Sequence, residues 1–114
     1  MDDVNEVMES LTTELKRGTI VLGVLASLKE KQYGYSLSQA LEERGMAVDQ
    51  NTLYPLLRRL EKQGLLKSDW TIEDSRPRRY YELNEKGLIV LKRLADEWDK
   101  MTRVLENLLK TRKG

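Results

Sequence analysis

Three groups of side chains in this sequence have types and spacings suited to chemistry, and all three are suited to binding. Arg58, Arg59 and Lys62 share one face of a helical pattern that opens with the polar triplet Gln50, Asn51 and Thr52. Arg76, Arg78 and Arg79 surround Pro77 in a charged, turn-rich stretch. Trp98 stands inside a heptad of apolar residues near the C-terminus. Guanidinium groups form paired hydrogen bonds with phosphate oxygens and guanine edges, and an indole offers a flat face for stacking. Bond-making chemistry lacks its usual groups. The 114 residues include no Cys and no His, which removes thiolate nucleophiles, zinc fingers, His-based triads and His metal sites. The carboxylate pairs Asp96/Asp99 and Glu42/Glu43 fall on charged helix faces and are expected to be solvated. No enzyme, metal or cofactor is expected.

The charge distribution agrees with an anionic partner. Twenty Lys and Arg stand against 19 Asp and Glu. Residues 1–57 carry 5 basic and 9 acidic groups, and residues 58–114 carry 15 and 10. The excess of positive charge is therefore confined to the second half. The acidic N-terminus MDDVNEVMES lacks the parts of a signal peptide, and no long uncharged apolar run is present, so a cytoplasmic protein is expected.

These side chains need elements to hold them. Leu outnumbers Val and Ile together by 20 to 10, a helical bias. Apolar residues at 4, 7, 8, 11 and 15 predict a first helical stripe, and GTIVLGVLASL (18–28) predicts a buried central helix. Gly18 and Gly23 are expected to admit a close neighbour there, with a kink at Gly18 as the alternative. KEKQYGY (29–35) reads as a loop. Ser36, with Gln39 three residues on, fits an N-cap for a short helix over 36–44 that Gly45 ends. Asp49 or Asn51 caps the next helix, whose apolar face is Leu53, Leu56, Leu57 and Leu60; Pro55 is expected in its first turns and Gly64 at its end. LLKSDWT and RYYEL predict two strands around a long loop, IEDSRPR. Asn84 caps a last helix running to about Lys110. Its core positions Leu91, Leu94, Trp98, Met101, Leu105 and Leu108 are spaced 3, 4, 3, 4, 3, the seam of a helix that needs a partner. At ~1.5 Å per residue it spans ~39 Å, against a radius of gyration of ~13 Å for a compact domain of this size. A homodimer is the simplest partner. The fold class expected is mainly α with a small β-hairpin: a winged helix-turn-helix over residues 1–83 and a dimerisation helix over 84–114, in one compact unit.

Helix, helix, helix and basic-tipped hairpin is the order of a winged helix-turn-helix, whose third helix enters the major groove of DNA. The chain resembles the PadR family of bacterial transcriptional regulators. The stretches that carry the likeness are RGTIVLGVLASL (17–28), YGYSLSQAL (33–41), NTLYPLLRRLEKQGLL (51–66) and RPRRYYELNEKG (76–87). The resemblance implies a homodimeric repressor on an inverted-repeat operator, of the short-tailed branch that dimerises through its last helix. It also implies release of DNA by a planar aromatic ligand stacked on Trp98, with the small residues Thr19 and Gly23 facing it. Ala95 stands where a bulky aromatic would help line such a pocket. The DNA contacts expected are Tyr33, Ser36, Gln50, Asn51, Thr52, Tyr54, Arg58, Arg59, Lys62, Arg76, Arg78 and Arg79, while Tyr35 and Tyr81 are expected in the core. The competing reading is a winged-helix dimer that uses its basic hairpin on an acidic protein.

Overall fold

In the computed structural model, which describes residues 2–110, the chain order is α1 (Asp2–Ser27), β1 (Gln32–Tyr33), α2 (Gly34–Glu43), α3 (Gln50–Lys62), β2 (Leu66–Glu73), β3 (Arg76–Leu83) and α4 (Glu85–Leu109). The strands form one antiparallel sheet in the order β1-β3-β2. This is a winged helix-turn-helix flanked by a long helix at each end. The stop at Lys110 leaves the last residues of the expected dimerisation segment, 111–114, outside the described residues.

The core is a leucine cluster. Val24, Leu25 and Leu28 at the end of α1 meet Leu37 and Leu41 of α2, and the α3 face Leu53, Leu56, Leu57 and Leu60 closes over them. The sheet joins through Leu66, Tyr81 and Leu83, and the Leu83 N–H donates to the Leu28 carbonyl (2.9 Å). Burial of one face of α3 forces its opposite face outward.

Several expectations change in detail. α1 is a single helix of 26 residues. It runs through Gly18, which has no neighbour where a Cβ would lie, whereas Gly23 is packed under the Met46 thioether. The segment before α2, which reads as a loop in the sequence, contains a third strand, β1, which pairs Gln32 with Tyr81 and Tyr33 with Tyr80. α2 therefore begins two residues earlier than its polar signal suggested, with Tyr33 at the N-cap and Ser36 inside the first turn. Gly45 (φ +93°) and Gly64 (φ +83°) end α2 and α3 in the left-handed region as expected. Asn84 caps α4, its Oδ1 accepting from the Gly87 N–H (2.8 Å).

The hairpin differs most. β2 and β3 are paired from Leu66↔Leu83 out to Glu73↔Arg76, so Asp74 and Ser75 alone form the connection. Both have positive φ (51° and 65°), the signature of a type I′ turn whose twist matches that of the strands. The charged composition of IEDSRPR suggested a loop, but a two-stranded projection in solvent has no buried face to require alternation. Pro77 is compatible with this because β1 reaches no further along β3 than Tyr80, leaving that edge open at Pro77. A type I′ turn prefers Asn-Gly. Replacing Asp74-Ser75 by Asn-Gly should therefore raise stability by ~0.5–1 kcal/mol, read as a higher urea midpoint at unchanged m-value.

Candidate nucleic-acid interface

The candidate interface starts at the N-terminus of α3. Asp49, in extended conformation, accepts the Thr52 N–H on its Oδ1 (2.9 Å) and begins the helix at Gln50. Of the two caps the sequence allowed, Asp49 is the one used, and Gln50, Asn51 and Thr52 become the exposed first turn. Pro55 is the sixth helical residue, beyond the first turn where its missing N–H would cost nothing. It leaves the Asn51 carbonyl without its normal helical donor, on the exposed side of the helix. Arg58, Arg59 and Lys62 follow on the same exposed face. Among the described residues none of these three cations has an acidic partner, and the same holds for Arg76 at the hairpin tip.

The aromatic residues take distinct places. Tyr54 is half-buried, with its ring and hydroxyl against Gly34 where a Cβ would otherwise sit, so Gly34 is needed for this close approach. Tyr33 packs edge-on against Tyr80 (5.3 Å between ring centres) and carries the Arg78 guanidinium on its ring at 4.4 Å. Tyr80 donates to Glu73 (3.0 Å), which also lies 3.7 Å from Arg78. Desolvation and then the Glu73 hydrogen bond push the Tyr80 phenol above its ordinary value, so it remains a donor at neutral pH. For Arg78, desolvation works against the charge, but Tyr33, Tyr80 and Glu73 outweigh it and its value is raised. Tyr81 is buried as expected. Tyr35 is not; it is 54% exposed and accepts a hydrogen bond from Gln39 (3.0 Å), because the earlier start of α2 turns it to solvent.

Besides Arg78, two of the expected contact residues are engaged within the chain. The Ser36 hydroxyl accepts the Tyr33 N–H (3.1 Å) and lies 2.7 Å from the Gln32 Oε1, to which it donates. The Arg79 guanidinium bonds both carboxylate oxygens of Glu61 (2.9 and 2.8 Å). Glu61 is the residue that sequence reasoning missed, since its helical position gives no hint of a partner 18 residues away.

Thr19, Gly23 and Trp98, grouped from the sequence, do meet. With Met46, Leu91 and Ala95 they line an apolar pocket of about 350 Å³ between α1 and α4. Of the heptad residues, Leu91 and Leu94 pack against the chain's own core, while Trp98, Met101, Leu105 and Leu108 are exposed along α4.

The Transcriptional regulator PadR-like family model matches residues 21–93, from the last two turns of α1 through the hairpin into α4. The chain belongs to the PadR-like family. A crystal structure of a PadR family transcriptional regulator from Eggerthella lenta is 41% identical and superposes with a TM-score of 0.92, covering 98% of this chain and 100% of that one. A PadR-like transcriptional regulator from Bacillus cereus is 28% identical with a TM-score of 0.76, over 87% and 99% of the two chains. Transcriptional regulator Rv3488 of Mycobacterium tuberculosis is 37% identical over 79 residues, 68% of this chain and 74% of its own length. This PadR-like chain is thus a transcriptional regulator and not an enzyme. No helix among its described residues is long and apolar enough to cross a membrane.

The cap at Asp49 sets the position of the whole polar first turn. Asp49→Ala should cost ~1 kcal/mol of stability through the lost N-cap, measured by urea denaturation.

Proposed function

We propose that the protein is a homodimeric repressor that reads an inverted repeat, with α3 of each subunit in the major groove and the hairpin at the flanking backbone or minor groove. The observation that carries this reading is the α3 face, where Asn51, Thr52, Arg58, Arg59 and Lys62 are exposed and its cations unpaired, the arrangement a groove-entering helix needs. In this reading Gln50, Asn51, Thr52 and Arg58 contact base edges. In this reading Arg59, Lys62, Arg76 and Arg78, with the Tyr33 and Tyr54 hydroxyls, contact phosphate. Residues up to 83 serve DNA binding, and α4 serves dimerisation.

Dimerisation is supported by what one chain leaves uncovered. Val4, Val7, Met8, Leu11 and Leu15 along α1, and Trp98, Met101, Val104, Leu105 and Leu108 along α4, are each 42% exposed or more. The chain extends over 61 × 36 × 24 Å with a radius of gyration of 17.1 Å, well beyond the ~13 Å of a compact domain of this length. Two apolar stripes on projecting helices are the surfaces a second copy would bury. The pocket at Trp98 opens beside that seam and suits a planar, apolar effector. Such a ligand regulates DNA binding only by favouring one spacing of the two α3 helices over another.

Selection of duplexes from a randomised pool should yield an inverted repeat with half-sites about one helical turn apart. Arg58→Ala should weaken binding to the selected duplex by ~1–3 kcal/mol and relax the preference at one position in each half-site. Arg59→Ala should weaken all duplexes alike and reduce the slope of log K against log salt by about 0.9. Retention of only nucleic-acid-independent partners, with no duplex selected, would favour the acidic-protein reading.

Sedimentation equilibrium should give twice the 13.3 kDa of the chain. Leu105→Asp, which places a charge in the seam, should give monomers at micromolar concentration. Planar cationic dyes should quench Trp98 emission and release the duplex, and Trp98→Ala should abolish both effects; dye binding that survives this substitution would move the site elsewhere.

A further inference from the structure

Recognition by a helix and a hairpin together requires a fixed angle between them, because one enters a groove and the other reaches the neighbouring backbone. β2 and β3 project from the core beyond Leu66 and Tyr81, and their outer residues Trp70 and Ile72 are 65% and 77% exposed. Core packing therefore holds the base of the hairpin and leaves its outer half without hydrophobic support. One polar cluster spans the space between hairpin and helix. Glu61, in the last turns of α3, accepts from the Ser68 hydroxyl of β2 (2.6 Å) and from the Arg79 guanidinium of β3 (2.8 and 2.9 Å). Arg79 also donates to the Ser68 Oγ from Nε and from Nη2 (3.3 and 3.1 Å). Its guanidinium lies 5.9 Å from the Trp70 ring centre and 5.5 Å from that of Tyr81.

We propose that Glu61, Ser68 and Arg79 form a brace that sets the angle between α3 and the hairpin, and that Arg79 is a positioning residue for DNA recognition. This inference rests on the DNA-binding reading above. A carboxylate on a helix that approaches DNA repels phosphate unless it has another task. Here the task is visible, since both oxygens of Glu61 are engaged and each strand of the hairpin supplies a donor. Both side chains are partly covered, Glu61 at 28% and Arg79 at 37% exposure, so the pair is less screened than a surface ion pair. The planar fork of Arg79 bonds Glu61 and Ser68 together while lying between two aromatic rings. Lysine keeps the charge and loses that geometry.

The sign of one substitution separates a brace from a phosphate contact. Glu61→Gln removes a negative charge and frees Arg79, so if Arg79 binds phosphate the DNA affinity rises. A brace gives the opposite result. Against the duplex selected by the wild type, Glu61→Gln and Arg79→Lys should each bind about tenfold more weakly, the scale of a lost charge-assisted hydrogen bond. Binding to mixed-sequence DNA should not fall in either variant. Arg79→Met should leave the salt slope unaltered, and the Glu61→Gln/Arg79→Met double variant should be no weaker than the weaker single one. Tighter binding by Glu61→Gln, or a slope reduced by about 0.9 in Arg79→Met, would overturn the proposal. A DNA-free measurement decides the brace on its own. The chain has no Cys, so nitroxide labels at Asn51→Cys and Arg76→Cys, in labelled subunits diluted with unlabelled chain, report the helix-to-hairpin distance by electron–electron double resonance. Its distribution should broaden in Glu61→Gln and in Arg79→Lys, each checked as folded by circular dichroism; should Glu61→Gln not fold, Arg79→Lys carries the comparison. An unchanged width overturns the brace, whereas a wild type that selects no duplex overturns the DNA reading and leaves the distance result standing.

Discussion

Everything that faces outward in this protein depends on four leucines that face inward. Leu53, Leu56, Leu57 and Leu60 fix the rotation of α3 about its own axis by entering a cluster made with α1, α2 and the sheet. Since a helix turns about 100° per residue, burial of that stripe leaves no freedom for the polar residues between its members. Arg58, Arg59 and Lys62 point to solvent because their neighbours cannot. Deletion of a methylene or two from Leu57, which is fully buried, would therefore disturb the exposed face as well as the core.

The hairpin is held by a different kind of force. Beyond Tyr81 it has almost no apolar contact with the core, and polar or aromatic links take over. On one side Arg78 lies on Tyr33 beside Tyr80, which ties the hairpin to the start of α2. On the other side Arg79 reaches Glu61 of α3. Two adjacent arginines thus point to opposite faces of β3, as the alternation of a strand demands, and each joins the strand to a different helix. Directional bonds of this kind fix an angle better than leucine packing does, at the cost of exposure to salt and water.

The two long helices give the third feature. α1 and α4 bury their apolar residues only near the core, where Leu91 and Leu94 complete the cluster, and leave the rest of both stripes exposed. The pocket formed by Thr19, Gly23, Met46 and Trp98 lies at the boundary between the covered and uncovered lengths. A ligand there would touch both the winged domain and the proposed dimer seam, the position from which one small molecule could bias the spacing of two DNA-reading helices.

Elements whose signals are local are legible in the chain alone. Periodic leucines defined α3 and α4, glycines marked the ends of α2 and α3, Asn84 announced its cap, and the family signature identified the winged helix. The family resemblance, not the residue pattern, grouped Thr19 and Gly23 with Trp98. Features that depend on a partner far along the chain took shape only in the packed fold. β1 has two residues and forms only because Tyr80 and Tyr81 offer an edge. The hairpin tip tightened to two residues because exposed strands need no alternating pattern. Ser36 moved inside α2, and Tyr35 to the surface, once Tyr33 was held in the sheet. Arg79 was indistinguishable in sequence from Arg76 and Arg78. Its pairing with Glu61 required α3 and β3 to be side by side, and propensity or periodicity, which act over a few residues, carry no record of that contact.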